Sequence, residues 1–215
     1  TKGKHRVFPR PEIMGRLCSC GFEIKMEQVI ADKFFVAVQK VCPPLDIKNP
    51  SYGPLIRLHR VGKNGKIIGV YKFRTMHAYA EYLQKYVYDH NNLQEGGKIE
   101  NDYRISTVGK FMRKCWIDEW PMFLNILMGD MKLIGVRPLS KHYFSLYTPE
   151  MQELRTKVKP GLLPPFYVDM PKTLDEIQES EKKYIEQYLR HPLKTDFKYF
   201  WKITGNIVFK GKRSA

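Results

Sequence analysis

The spacing of apolar residues switches between period two and period 3.6 along the chain, and each switch predicts an element. Leu55-Ile56-Arg57-Leu58-His59-Arg60-Val61 and Ile67-Ile68-Gly69-Val70-Tyr71-Lys72-Phe73-Arg74 flank Gly62-Lys63-Asn64-Gly65-Lys66. Asn-Gly supplies the positive φ of a tight hairpin, so the two runs predict antiparallel strands. Alternation then puts Lys72 and Arg74 on one strand face and Tyr71 and Phe73 on the other. Two same-face cations suit a phosphate and equally suit a solvated strand face. Earlier, Gly21-Phe22-Glu23-Ile24-Lys25 and Lys33-Phe34-Phe35-Val36-Ala37-Val38 predict a small hairpin, while residues 1–16, basic and broken by Pro9 and Pro11, predict an arm.

Helical spacing dominates after the second hairpin. Met76, Tyr79, Ala80, Leu83 and Val87 predict a helix over 76–90 with a buried stripe. A polar loop containing Gly96-Gly97 follows, and then a helix from Thr107 to Trp116. Gly129 to Pro138 reads as helix end, short strand and a turn presenting Arg137, a fixed guanidinium fork matched to phosphate. Residues 139–158 predict a helix with Tyr143, Leu146 and Tyr147 inward, broken by Pro149, and 159–165 an irregular loop. A charged helix starts near Thr173 with Glu176 placed for a capping box. The last helix, 195–209, carries Phe197, Phe200, Trp201, Thr204, Ile207 and Val208 on one face and Lys194, Lys198 and Lys202 on the other. Such a helix suits an anionic membrane surface or ordinary packing on a core. Together these elements predict an α+β fold, mostly helical with a small antiparallel sheet or hairpin.

Ile117-Asp118-Glu119-Trp120-Pro121 interrupts the pattern, with two acidic residues between a basic, apolar segment and the apolar run Met122 to Met128. Asp118 is placed to cap a helix whose first turn tolerates Pro121, and both carboxylates would lie at the positive end of its dipole. That end also favours a bound phosphate, so the local reading leaves two roles open: structural cap, or nucleophile beside an anion site.

Charge sharpens the choice. Lysine and arginine (37) exceed aspartate and glutamate (22) by 15, which predicts a polyanionic neighbour: nucleic acid, an anionic membrane or a phosphorylated substrate. A length of 215 residues and 43% hydrophobic content suit a folded domain with extensions. Cys18, Cys20, Cys42 and Cys115 lack metal-ligand or disulfide spacing, which predicts reduced thiols. No run reaches the 18 or more apolar residues of a membrane span. The sequence opens on Thr1, which leaves open an anchor outside it.

Lys72-Phe73-Arg74-Thr75-Met76, the run Asp102 to Lys114, Ile117 to Pro121, Asn125 to Met131 and Gly135-Val136-Arg137-Pro138 form an ordered series. In that order the chain resembles the bacterial sugar transferase family, the monotopic phosphoglycosyl transferases that start capsule, exopolysaccharide and O-antigen synthesis. The resemblance runs from about Gly53 to Gly161 and divides the chain into a basic N-terminal extension and linker (1–52), a catalytic core (53–161) and a divergent C-terminal helical region (162–215). It implies transfer of a sugar-1-phosphate from a nucleoside diphosphate sugar, usually a UDP-sugar, to a polyprenyl (undecaprenyl) phosphate, with Mg²⁺ and release of UMP.

The same resemblance implies roles for single residues. Asp118 becomes the nucleophile forming a phosphosugar-aspartyl intermediate, and Glu119, with Asp118, the Mg²⁺ partner. Lys72, Arg74, Arg104, Arg113, Arg137 and Pro138 become the substrate-binding set. It further implies the cytoplasmic face of a bacterial inner membrane, by peripheral contact or an anchor outside the chain, and no nucleic acid. Family members carry a hydrophobic re-entrant helix with a Ser-Pro break before the position of Gly53; here 31–54 is charged and Pro-rich. Val136 replaces a common proline, and Gly161-Leu162-Leu163-Pro164 replaces a Gly-Ile-Thr-Gly-like turn. Two other classes compete with this expectation: a catalytically degenerate scaffold of polysaccharide assembly, and a basic nucleic-acid-binding module, which lacks any recognisable motif here.

Overall fold

A computed structural model of the chain describes residues 7–47, 52–90 and 102–210. The polar loop with Gly96-Gly97, and Asn49 to Ser51 of the Pro-rich connector, lie outside the described residues. The elements in order are α1 (Arg10–Ser19), β1 (Phe22–Ile30), β2 (Lys33–Lys40), β3 (Leu55–Val61), β4 (Ile67–Phe73), α2 (Gln84–His90), α3 (Thr107–Lys114), α4 (Met122–Leu127), β5 (Lys132–Ile134), α5 (Lys141–Ser145), α6 (Pro149–Thr156), β6 (Gly161–Leu163), α7 (Phe166–Asp169), α8 (Leu174–Arg190) and α9 (Pro192–Lys210). The fold is α+β with small antiparallel hairpins, and no described helix is long and apolar enough to cross a membrane.

The chain divides into two compact units, one of Thr1–Pro54 with Arg74–Asp118, the other of Leu55–Phe73 with Glu119–Ala215. In the first unit the N-terminal segment is a helix where an arm was expected. Pro11 sits in the first turn of α1, where its missing N–H costs nothing, and Met14 enters the core. β1 and β2 form the expected hairpin, which runs longer than the apolar residues alone suggest. Ala31 (φ 47°) and Asp32 (φ 60°) supply its two-residue turn. Met14, Ile24, Leu83 and Val87 form the core of this unit. The 76–90 segment begins with an extended bridge from Met76 to Ile105, turns at Tyr79 and becomes helical from Ala80, keeping Ala80, Leu83 and Val87 buried.

The second unit is built on the β3–β4 hairpin, whose turn uses Asn64 (φ 55°) and Gly65 (φ 72°) as its Asn-Gly pair requires. Ile68, Val70, Met122 and Met131 pack together over it. Asn125, fully buried on α4, accepts the Tyr71 N–H (2.9 Å) and donates to the Gly69 carbonyl (2.8 Å), so both amide ends are satisfied against β4.

Three C-terminal expectations change. The 159–165 loop contains β6, parallel to β5, and the two glycines explain the contact. A Cβ on Gly161 would lie 2.1 Å from the Gly135 nitrogen, so only glycine lets the backbones meet. Residues 139–158 form two helices, because Pro149 starts α6 under a Thr148 cap; Tyr147 is buried while Tyr143 and Leu146 are exposed. On α9 the buried positions are Thr195, Tyr199 and Ile203, whereas Phe197 and Trp201 face solvent beside Lys194, Lys198 and Lys202. α8 starts as expected: Thr173 accepts the Glu176 N–H and Glu176 reaches back to the Lys172 N–H.

Candidate active site

In the first unit the site residues descend from α3. Ser106 caps the helix by accepting the Gly109 N–H (2.9 Å). Gly109 must be glycine, since a Cβ there would sit 1.9 Å from the Thr75 carbonyl oxygen. This close approach lets Arg113 donate from Nε to Thr75 Oγ1 (2.9 Å). Loss of hydration around the Arg113 guanidinium pushes its pKa below the ordinary arginine value, and the Asp118 charge acts in the opposite direction. Asp118 and Arg113 therefore lie within each other's field. After α3 the chain passes through Trp116 in a left-handed conformation (φ 58°), a costly backbone for a bulky residue. It then enters a single 3₁₀ turn, Ile117–Glu119, that carries the acidic pair.

That turn corrects the capping expectation. α4 starts at Met122 with Pro121 at its N-cap position and no side-chain cap, so Asp118 is not the cap of α4. Arg104 also departs from its expected place. It is 3% exposed, holds Asp102 in a bidentate pair (2.8 and 2.6 Å) and donates to Gln84 (2.7 Å). Its fork is occupied inside the protein, which makes it a structural residue. Arg74 follows the end of β4 at Phe73, and its Nε donates to the Gly53 carbonyl (3.0 Å). Arg74 belongs to the first unit and Lys72 to the second.

In the second unit Lys72 Nζ donates to Glu119 Oε1 at 2.5 Å, with both side chains mostly shielded. The two line a pocket together with Arg60, Arg137, Pro138 and Tyr167. Arg137 and Pro138 thus line the same pocket as Lys72 and Glu119. Arg60 was missed, although alternation in the hairpin could have found it. Ile56 faces Lys72, Leu58 faces Val70 and Arg60 faces Ile68, so Arg60 shares the Lys72 face. Arg155 and Glu181 were missed as well. Both are buried and paired, and Arg155 Nη2 donates to the Arg137 carbonyl (2.6 Å), holding the turn that presents Arg137. Their positions in sequence, 18 and 44 residues beyond Arg137, give no local signal.

Among the described residues no cluster of three or more histidine, cysteine, aspartate or glutamate side chains could hold a metal. Asp118 and Glu119 are adjacent in sequence, and Mg²⁺ generally takes one or two carboxylates and completes its shell with substrate phosphates and water.

Comparison with known proteins gives this arrangement a family. The family model for bacterial sugar transferases matches residues 29–210, extending well beyond the 53–161 stretch that carries the motifs. The galactosyl transferase CpsE of Streptococcus agalactiae is 38% identical over 141 residues, covering 63% of this chain and 31% of that protein. The undecaprenyl-phosphate galactose phosphotransferase of Salmonella typhimurium is 35% identical over 116 residues, covering 51% of this chain and 24% of that protein. The UDP-glucose:undecaprenyl-phosphate glucose-1-phosphate transferase of Escherichia coli is 32% identical over 178 residues, 79% of this chain and 35% of that protein. The chain thus spans about a third or less of the length of these relatives. Because the match runs through the acidic pair, the Lys72 hairpin and the Arg137 turn alike, the chain belongs to the bacterial sugar transferase family.

Proposed function

We propose that this chain is the catalytic part of a phosphoglycosyl transferase that moves a sugar-1-phosphate from a UDP-sugar to a polyprenyl phosphate. The observation that carries the reading is the pocket of the second unit. It sets Lys72, Arg137 and Arg60 against one carboxylate, Glu119, in the residue that follows Asp118. An excess of cations around one carboxylate is what a bound diphosphate requires.

In this reading an Asp118 carboxylate oxygen attacks the phosphorus bearing the sugar. The bond from that phosphorus to the bridging oxygen breaks, and UMP leaves with the electron pair. The aspartyl phosphosugar is then attacked at the same phosphorus by a polyprenyl phosphate oxygen, which restores the Asp118 carboxylate. Lys72 orients Glu119 and offers its remaining N–H donors to phosphate oxygens, while Arg113 and Arg137 supply guanidinium forks. Mg²⁺, held by Asp118 and Glu119 with substrate oxygens, would offset phosphate charge.

The long carrier places the reaction at a membrane, at the cytoplasmic face where nucleotide sugars are made. The outward side of α9, with Leu193, Phe197 and Trp201 beside Lys194, Lys198 and Lys202, supports contact with an anionic lipid surface. Incubation with a panel of UDP-sugars, Mg²⁺ and undecaprenyl phosphate should release UMP. Asp118→Asn should lower that release by more than about a thousand-fold, and EDTA should stop it. Mass spectrometry should find a phosphosugar on Asp118 when the acceptor is withheld. Absence of UMP with every donor, or full activity in Asp118→Asn, would overturn the proposal.

A further inference from the structure

Arg60 lies on β3 and belongs to none of the motifs by which the chain resembles its family, yet it lines the same pocket as Lys72, Glu119 and Arg137. Three backbone constraints hold it near the Arg137 turn. The Val61 N–H donates to the Leu139 carbonyl (2.9 Å), which ties the end of β3 to the residue after Pro138. The Gly161 N–H donates to the Val136 carbonyl (2.9 Å), and Arg155 holds the Arg137 carbonyl from its buried pair with Glu181.

The pocket's charges do not balance. Glu119 is the partner of Lys72. Among the described residues neither Arg60 nor Arg137 forms an ion pair, and the one side-chain bond of Arg60 runs to the neighbouring His59 carbonyl (2.9 Å). Burial and the like charge of Arg137 push the Arg60 pKa below the usual arginine value, so the charged form is held at a cost. An oxyanion between two forks removes that cost and adds charge-assisted hydrogen bonds.

We propose that Arg60 and Arg137 together form a two-guanidinium site for a phosphate group, with Arg60 as a direct substrate-binding residue. The assignment of that phosphate to a reactant rests on the phosphosugar-transfer reading, because both donor diphosphate and acceptor phosphate carry the same chemistry.

Calorimetric titration separates the two sources, using UDP as one probe and farnesyl phosphate as the other. Wild-type protein should bind both, and Arg60→Ala should weaken at least one about ten- to a hundredfold. Loss confined to UDP assigns the site to the donor, and loss confined to farnesyl phosphate assigns it to the acceptor. Arg60→Lys keeps the charge without the fork; it should fold as the wild type does and bind the same probe with intermediate affinity, which covers a failure of Arg60→Ala to fold. Wild-type affinity for both probes in the folded variants, or no binding by the wild type, overturns the proposal. UMP release on the same samples keeps the two readings apart. Arg60-dependent binding without UMP release would overturn the transferase reading and leave the site standing. Normal release with binding indifferent to Arg60 would do the reverse.

Discussion

Arg104 and Arg113 stand nine residues apart in one basic motif, and their surroundings separate them. Arg104 is held by Asp102 and Gln84 inside the first unit, whereas Arg113 donates to Thr75 and shares a field with Asp118. Arg104→Ala would leave the Asp102 carboxylate buried without its partner, at a cost of about 3–5 kcal/mol. Urea denaturation should show that loss. A variant of unchanged stability with weakened UDP binding would return Arg104 to the substrate. The motif was readable as a string of residue types, but nothing in Asp102-Tyr103-Arg104 shows that the arginine folds back on the aspartate two residues earlier. Gln84, the second partner, comes from a distant segment.

At the scale of elements, α9 was legible as an amphipathic helix, and its orientation was not. The aromatic face suited either a membrane surface or packing on the core; Phe197 and Trp201 are 67% and 59% exposed, while Ile203 is fully buried. Lys132 on β5 explains the inward face: it meets both Asp196 oxygens (3.0 and 2.9 Å), and the Tyr184 hydroxyl of α8 donates to Asp196 (2.7 Å). These contacts set the rotation of α9 and leave the Phe197–Trp201 side facing outward. Replacing Phe197 and Trp201 by serine should change stability by no more than about 0.5 kcal/mol each and reduce sedimentation with phosphatidylglycerol vesicles. Ile203→Ser should cost about 3–5 kcal/mol. Unchanged vesicle binding in the double variant would remove α9 from the membrane surface.

For the whole molecule, each unit buries tyrosines that set its behaviour in alkali. Burial pushes Tyr103 in the first unit and Tyr199 in the second up to about 12. The unfolded chain releases these protons near pH 10 while the folded units retain them, so the unfolded state binds fewer protons and stability falls as pH rises towards 12. The urea midpoint should drop across that interval, and Tyr199→Phe should lessen the drop; an equal drop in the variant would exclude Tyr199 as a source. Sequence alone determined the family, the β3–β4 hairpin and the capped start of α8, because each is carried by short runs of residues close together in the chain. Tertiary structure decided the rest: the pairing of Lys72 with Glu119, the entry of Arg60 into the Arg137 pocket, the withdrawal of Arg104 into the interior and the rotation of α9. Those outcomes depend on which groups desolvate one another: Asp102 and Gln84 together hold Arg104 of the basic motif inside the protein.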